Sequence, residues 1–110
     1  MSILDTDKID IVGTRPGSSL VRLVIADHLD WADFQGHAEL LQAKVNTYLG
    51  FVESGQLKSM SNPPVPPDAR VEILLAAQHA PNGQALEFLE QVRLFLQQAG
   101  ISFIVEVKPL

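Results

Sequence analysis

Apolar and polar positions along this chain follow two different periods, and the changes between them divide the chain into six predicted elements. Alternation with many β-branched residues predicts four strands, at residues 8–12, 20–26, 70–77 and 101–107. Apolar residues that recur every three or four positions predict two helices, one beginning at Trp31 and one after Asn82. The predicted order is ββαβαβ, with the first two strands forming a hairpin across the turn-forming segment 13–18.

Residues with established roles at helix ends support these bounds. Asp30 and Asn82 are each placed to accept a hydrogen bond from the first turn of the helix that follows. Gly55 and Gly100 come after the last periodic residues, where a left-handed glycine commonly ends a helix. Four prolines within residues 56–69 predict an ordered loop with extended backbone, because the chain that follows is too short for another domain.

The strand pattern predicts how the elements pack. Odd-numbered strand positions are apolar almost throughout, beginning with Ile9 and Ile11, whereas even-numbered positions are mixed. Both helices should therefore cover the odd-numbered face, and each strand–helix–strand crossover should be right-handed with parallel strands. We predict an α+β fold in one domain over residues 1–110. It is a two-layer sandwich whose four-stranded mixed sheet carries two helices on one face.

Composition narrows the class of protein. The chain has 110 residues, of which 46% are hydrophobic and 19% charged, as expected of one globular domain. It has no cysteine, which excludes disulfides, thiolate metal sites and cysteine nucleophiles and fits a reducing cytoplasm. The N-terminus lacks the features of a signal peptide, and no apolar run is long enough to span a membrane.

The distribution of charge makes two further classes of partner unexpected. The formal net charge is −5, which makes the protein acidic, and the eight lysine and arginine residues are scattered along the sequence. Nucleic acids and anionic membrane surfaces are bound by grouped cations. We therefore expect neither a nucleic acid nor a membrane as partner.

The densest group of reactive side chains lies between the second strand and the first helix, in the run Asp27-His28-Leu29-Asp30-Trp31. If the second and third strands are parallel, His79 reaches the same edge of the sheet, where ligands of open α/β sheets bind. His28, His79 and Asp27 are chemically suitable metal ligands, and a histidine held by a carboxylate suits acid–base chemistry.

Structural roles explain the same residues more simply. Asp30 caps a helix, Asp27 forms a turn, and Trp31 covers the first helical turn. The sequence contains no phosphate-binding loop, nucleophile elbow or H-E-x-x-H motif, so we assign no catalytic residue, metal or cofactor. His37 is predicted to lie on the first helix away from the other histidines, in solvent or at an interface.

A second feature is apolar surface beyond the predicted core. Leu40 lies off the core stripe of the first helix, on a second stripe that includes His37 and Lys44. The other predicted surface residues are Phe51 on that stripe, Leu94 opposite the core face of the second helix, and the sheet row Val24, Leu74 and Ile104. Small monomers seldom expose so much apolar surface in patches, which predicts a homodimer or a protein partner.

Three segments carry a resemblance to a known family: residues 5–10 (D-T-D-K-I-D), 27–31 (D-H-L-D-W) and 100–103 (G-I-S-F). They resemble a family of small bacterial single-domain proteins of unknown function, over nearly the whole chain, and D-H-L-D-W is the most specific of the three. The resemblance implies a bacterial, cytosolic protein. It implies no activity, cofactor or catalytic residue.

Two functions are therefore compatible with the sequence. The leading hypothesis is a non-enzymatic interaction module that forms a homodimer or binds a protein partner. The alternative is a small enzyme or a ligand- or metal-binding domain that uses a rim site, defined as Asp27, His28, Asp30, Trp31 and His79. The residues of the predicted interface are Val24, Leu40, Phe51, Leu74, Leu94 and Ile104.

Overall fold

Four strands and two helices make up the computed structural model, which describes residues 3–4, 11–14, 20–55 and 70–108. In chain order the elements are β1 (Ile11–Thr14), β2 (Leu20–Asp27), α1 (Phe34–Glu53), β3 (Arg70–Ala77), α2 (Gly83–Gln98) and β4 (Ile101–Val107). The bounds of β3 and β4 agree with the sequence-based prediction. The predicted loop at 56–69 and residues 8–10 of the predicted first strand lie outside the described residues.

The sheet has the order β1-β2-β3-β4, and its three longest strands, β2, β3 and β4, are parallel. The predicted four-stranded mixed sheet, with elements in the order ββαβαβ, is corrected to a three-stranded parallel sheet whose strands the two helices connect, with β1 added at its edge. β1 is only four residues long and joins β2 antiparallel at one edge. The crossover helices determine this arrangement, since a helix between neighbouring strands returns the chain to the same end of the sheet.

The register of β1 also corrects the prediction. Ile11 pairs with Val24, and Val12 pairs with Leu23. Residues that lie opposite each other in a strand pair are on the same face of the sheet. The face that carries the odd-numbered residues of β2 therefore carries the even-numbered residues of β1. The odd-numbered apolar face therefore does not continue into β1. The register of a hairpin depends on the length of its turn, which the alternation of apolar residues alone does not fix.

The core lies between the parallel strands and the two helices. The strands contribute odd-numbered residues, namely Val21, Leu23, Ile25, Ile73, Leu75, Ile101 and Phe103. The helices contribute Leu41, Val45, Tyr48, Phe51, Ala85, Leu89, Val92 and Leu96. Both helices thus pack on the odd-numbered face of these strands, and burial of this apolar surface is the main force that holds them there.

The caps of the two helices differ in how well the sequence located them. Asn82 caps α2 as predicted, because its side-chain oxygen accepts from the Ala85 N–H at 2.9 Å. α1 begins at Phe34 rather than Trp31, and its cap is Asp33, whose Oδ1 accepts from the Gly36 N–H at 3.2 Å. Asp30 and Asp33 both precede the helix. The chain forms one more turn after Asp30, so Asp33 occupies the cap position.

The buried stripe of α1 is shifted toward the side that the sequence predicted to be surface. His37, Lys44 and Phe51 are buried, together with Leu41, Val45 and Tyr48, which follow the apolar period of the helix. The Lys44 ammonium lies over the Tyr48 ring, 5.7 Å from its centroid. The aliphatic stem of a lysine and the ring of a histidine both pack well when their polar ends have partners. The presence of these polar residue types on one side of α1 therefore does not show that this side is exposed.

Candidate functional site

The carboxyl ends of β2 and β3 lie side by side and are joined by the loops that follow them. Asp27 pairs with Ala77 in the parallel register, and the Asp27 carbonyl accepts from the Gln78 N–H at 2.9 Å. Farther along, the Trp31 indole N–H donates to the His79 carbonyl at 3.2 Å. The two predicted halves of the rim site therefore meet.

A carboxylate–imidazole pair is buried at this edge, and its histidine is not one of the predicted residues. His37 Nε2 lies 2.5 Å from Asp27 Oδ2, and both residues are only 2% exposed. His37 Nδ1 lies 2.8 Å from the carbonyl oxygen of Asp30. His37 had been predicted to lie in solvent or at an interface away from the rim, and this prediction was wrong.

The hydrogen-bond partners of His37 define where its protons lie. A carbonyl oxygen only accepts, so Nδ1 carries a hydrogen and donates it to Asp30. The contact between Nε2 and Asp27 Oδ2, at 2.5 Å, is a hydrogen bond between the imidazole and the carboxyl group. Short, charge-assisted bonds of this kind are among the strongest in proteins. His37 therefore has both ring nitrogens engaged within the protein.

The remaining partners of Asp27 and His37 close the site to solvent. Asp27 Oδ1 accepts from the Leu29 N–H at 3.1 Å, so both oxygens of the carboxylate are used. The Trp31 ring stacks on the imidazole with 3.6 Å between centroids and 15° between planes. We call Asp27, Trp31 and His37 the β2-end network. Its contacts join α1 to β2, and the Trp31 indole N–H connects the network to the loop after β3 through the His79 carbonyl.

The other rim residues do not converge on a common point. The side chains of His28, Asp30 and His79 are exposed. The Asp30 carboxylate accepts from the Ala32 N–H at 3.0 Å and thereby stabilises a turn. Among residues 3–4, 11–14, 20–55 and 70–108, no three histidine, cysteine or acidic side chains are placed to hold a metal ion. The exposed polar side chains at the carboxyl ends of β2 and β3 therefore face solvent separately and do not form a cluster.

A depression of about 250 Å³ borders the network and is lined by Leu4, Leu29 and Leu40 together with His37. The carboxylates at its polar side belong to Asp30 and Asp33, which already accept hydrogen bonds from backbone N–H groups. Its walls are chiefly aliphatic. The depression therefore has few free polar groups with which to orient a ligand.

One signal in the sequence points to His37. It lies four residues before Leu41, on the buried side of α1, and ten residues after Asp27. A helix that starts beside the end of a strand places its first buried turn next to the last residues of that strand. The proximity of Asp27 and His37 could thus be inferred once the helix begins at Phe34 instead of Trp31.

The residues of the predicted interface fall into three groups. Phe51 belongs to the core and Leu74 is also buried, whereas Val24 and Leu40 are half-buried. Leu94 and Ile104 are exposed. The register does place Val24, Leu74 and Ile104 in one row across β2, β3 and β4. The placement of Phe51 corrects its assignment to the surface of α1.

Comparison with known proteins defines a family without a known activity. Neither helix in the described part of the chain is long and apolar enough to cross a membrane. No curated protein and no solved structure matches the chain. A family model with the description "Family of unknown function (DUF6572)" matches residues 1–109. The chain therefore belongs to this family of unknown function, DUF6572.

Proposed function

We propose that this protein is a non-enzymatic interaction module that forms a homodimer or binds a protein partner. One observation carries the proposal: large apolar side chains on α2 and β4 are between 41% and 56% exposed. They are Leu86, Leu94, Phe95, Ile104 and Val107. Three of these residues lie on α2 and two on the neighbouring β4, and exposed apolar surface of this kind is characteristic of protein interaction sites.

The β2-end network supports the proposal because its buried residues are poorly placed for catalysis, the alternative function. Asp27 and His37 are the reactive side chains that lie closest together in this region, and their hydrogen bonds are formed with each other and with backbone groups. Catalytic groups must reach a substrate, which two residues with 2% exposure do not do in this arrangement. A role in holding α1 against β2 accounts for them.

The charges support a protein as the partner. Arg22 pairs with Glu72 at 3.0 Å, Arg93 with Glu90, and Lys108 with Glu106 at 3.7 Å. Cations that are neutralised within the protein, in a chain of net charge −5, do not form a surface for phosphate groups. A lack of cysteine and the family resemblance favour the bacterial cytosol as the place where the partner is met.

Sedimentation velocity over micromolar to millimolar concentrations tests the proposal. We expect a reversible shift from monomer to dimer, and the variant Phe95→Ser should weaken it if the exposed face of α2 contributes. The variant His28→Ala, which changes an exposed polar residue, serves as the control. A protein that stays monomeric throughout, and that retains no specific partner from a cell extract, would contradict the proposed function.

A further inference from the structure

The strand β4 forms an open edge of the sheet. It is the last strand in the order β1-β2-β3-β4, and within residues 3–4, 11–14, 20–55 and 70–108 no strand pairs with its outer side. Its seven residues, I-S-F-I-V-E-V, contain no proline and a single charge. Natural proteins normally protect such an edge with prolines, several charges, a bulge or a covering segment, because it readily pairs with another strand.

The backbone groups that face outward can be identified from one hydrogen bond. The Lys108 N–H donates to the Ala77 carbonyl of β3 at 2.7 Å. Because successive residues of a strand direct their backbone groups to opposite sides, the even-numbered residues of β4 bond to β3. The N–H and C=O groups of the odd-numbered residues therefore point outward, at Ile101, Phe103, Val105 and Val107.

We propose that β4 pairs antiparallel with β4 of a second copy of this chain, with the two-fold axis passing beside Ile104. The pairing joins two sheets into one continuous sheet across a symmetric dimer. It rests on the proposed function and specifies the surface through which self-association takes place. The outward groups of the odd-numbered residues then form the ladder between the copies.

The sequence of β4 is complementary to itself in this register. Ile101 lies opposite Val107 of the second copy and Phe103 lies opposite Val105, so the odd-numbered pairs are all apolar. Ile104, 43% exposed in the single chain, lies opposite its own copy. The remaining pair joins Ser102 to Glu106, which places a hydroxyl opposite a carboxylate. No charge lies opposite a like charge, which would destabilise the pair.

Neighbouring registers are less favourable. A shift by two positions toward the end of β4 places Ile104 opposite Glu106, and a shift the other way places it opposite Ser102. Either shift also leaves two residues of each strand without partners. Only the register centred on Ile104 pairs all seven residues of β4. These pairs form when the second strand has the same sequence as β4. This self-complementarity favours a second copy over an unrelated extended segment.

Among the described residues, a depression lies beside the start of β4, where the second strand would end. Its volume is about 350 Å³, and it is lined by Arg93 and Gln97 of α2 and by residues 100–103. Val107 of the second copy, opposite Ile101, falls beside this depression. Its side chain is 41% exposed in the single chain and would be covered there.

Single cysteine variants test the pairing and its register. The chain has no cysteine of its own, so any disulfide formed by Ile104→Cys joins two chains. Opposite residues of this non-hydrogen-bonded type have Cα atoms about 4.5 Å apart, within disulfide reach. We expect mild oxidation to convert Ile104→Cys to a covalent dimer. The control Ser102→Cys lies on the same strand and face, and its copy would be about 13 Å away, so it should not crosslink.

A charge at the two-fold axis provides a second measurement. Ile104→Lys places two ammonium groups opposite each other and should raise the dimer dissociation constant by at least about tenfold. Gln35→Lys, at an exposed position on α1 that has no part in the proposed surface, should leave that constant within about twofold of wild type. Circular dichroism spectra like that of wild type would show that both variants fold.

The outcomes separate this inference from the proposed function. Crosslinking of Ile104→Cys with dissociation of Ile104→Lys supports both. A wild-type dimer that neither variant affects overturns the β4 pairing and leaves the interaction module standing. A pure protein that stays monomeric, with Ile104→Cys crosslinking only to another protein, overturns self-pairing and assigns the edge to that partner.

Discussion

The β2-end network and the β4 edge differ in what they leave available to a partner. Asp27, Trp31 and His37 combine a carboxylate with two aromatic rings, yet they form their hydrogen bonds and their ring stacking within the protein. β4 consists mainly of aliphatic residues, yet its outer backbone groups have no strand partner in the part of the chain that the structure describes, and Ile104 is 43% exposed. The proposed pairing therefore rests on the availability of groups rather than on their chemical reactivity.

Desolvation explains this difference. A buried charge without a partner is strongly unfavourable, so a chain that buries Asp27 must also supply His37 and backbone donors. An exposed strand edge has its hydrogen bonds to water and can exchange them for bonds to another strand at little loss. The first arrangement resists change, whereas the second one has the properties that the proposed pairing requires.

Removal of the buried imidazole should produce the largest effect. His37→Ala leaves the Asp27 carboxylate buried beside a cavity and removes the ring on which Trp31 stacks. We expect a loss of about 3–5 kcal/mol in the free energy of unfolding, the usual result of breaking a buried pair. Urea unfolding followed by tryptophan fluorescence measures it.

The matched control for His37→Ala is His28→Ala, since His28 is an exposed histidine at the same end of β2. It should change the free energy of unfolding by no more than about 0.5 kcal/mol. If the two variants were equally stable, the network would not hold the fold together, and the contrast between the two regions would be lost.

Two phenylalanines sharpen the same contrast between buried and available groups. Phe51 on α1 is 7% exposed and belongs to the core, whereas Phe95 on α2 is 45% exposed. Phe51→Ala should lower the free energy of unfolding by about 3–5 kcal/mol, and Phe95→Ala by less than about 1 kcal/mol. Thermal or urea unfolding distinguishes them. The reverse order would restore the sequence-based prediction that Phe51 lies on the surface of α1.

The features that the sequence predicted are those that local interactions determine. The bounds of β3 and β4, the Asn82 cap, and the left-handed glycines Gly55 and Gly100, with φ of +82° and +78°, all depend on neighbouring residues. The meeting of the β2 and β3 ends follows from a crossover between parallel strands. Short-range rules therefore located the region of the candidate site.

The features that the sequence did not predict depend on tertiary packing. The face of α1 that is buried, and with it the roles of His37 and Lys44, is decided by how the helix rests on the sheet. Two adjacent stripes of α1 carry apolar residues, so periodicity alone does not choose between them. The register of β1 likewise depends on a turn whose length the alternation does not specify.

The exposed polar residues of the β2 end should also prove structural, with a smaller effect. Asp33→Ala removes the acceptor that caps α1 and should lower the free energy of unfolding by about 1 kcal/mol. Asp33→Asn retains an acceptor at the same position and should recover most of the loss. Urea unfolding of both variants tests this. Equal losses in the two would show that the charge of Asp33, and not its hydrogen bond, supports the helix.

The smallest effect is expected beside the β4 edge, at the exposed ion pair of α2. The Arg93 guanidinium is hydrogen-bonded to Glu90 and holds the pKa of that carboxyl below its usual value of 4.5. A lowered pKa means that the pair stabilises the fold above the unfolded value and that this contribution disappears as the pH falls through the lowered one. Glu90→Gln should therefore be slightly less stable than wild type at neutral pH, and the difference should vanish well below pH 4.5. High salt at neutral pH should reduce it as well, because both groups are in solvent. A difference that persisted in acid and in salt would show that Glu90 is buried in the working state of the protein, as it would be if a second copy covered this side of α2.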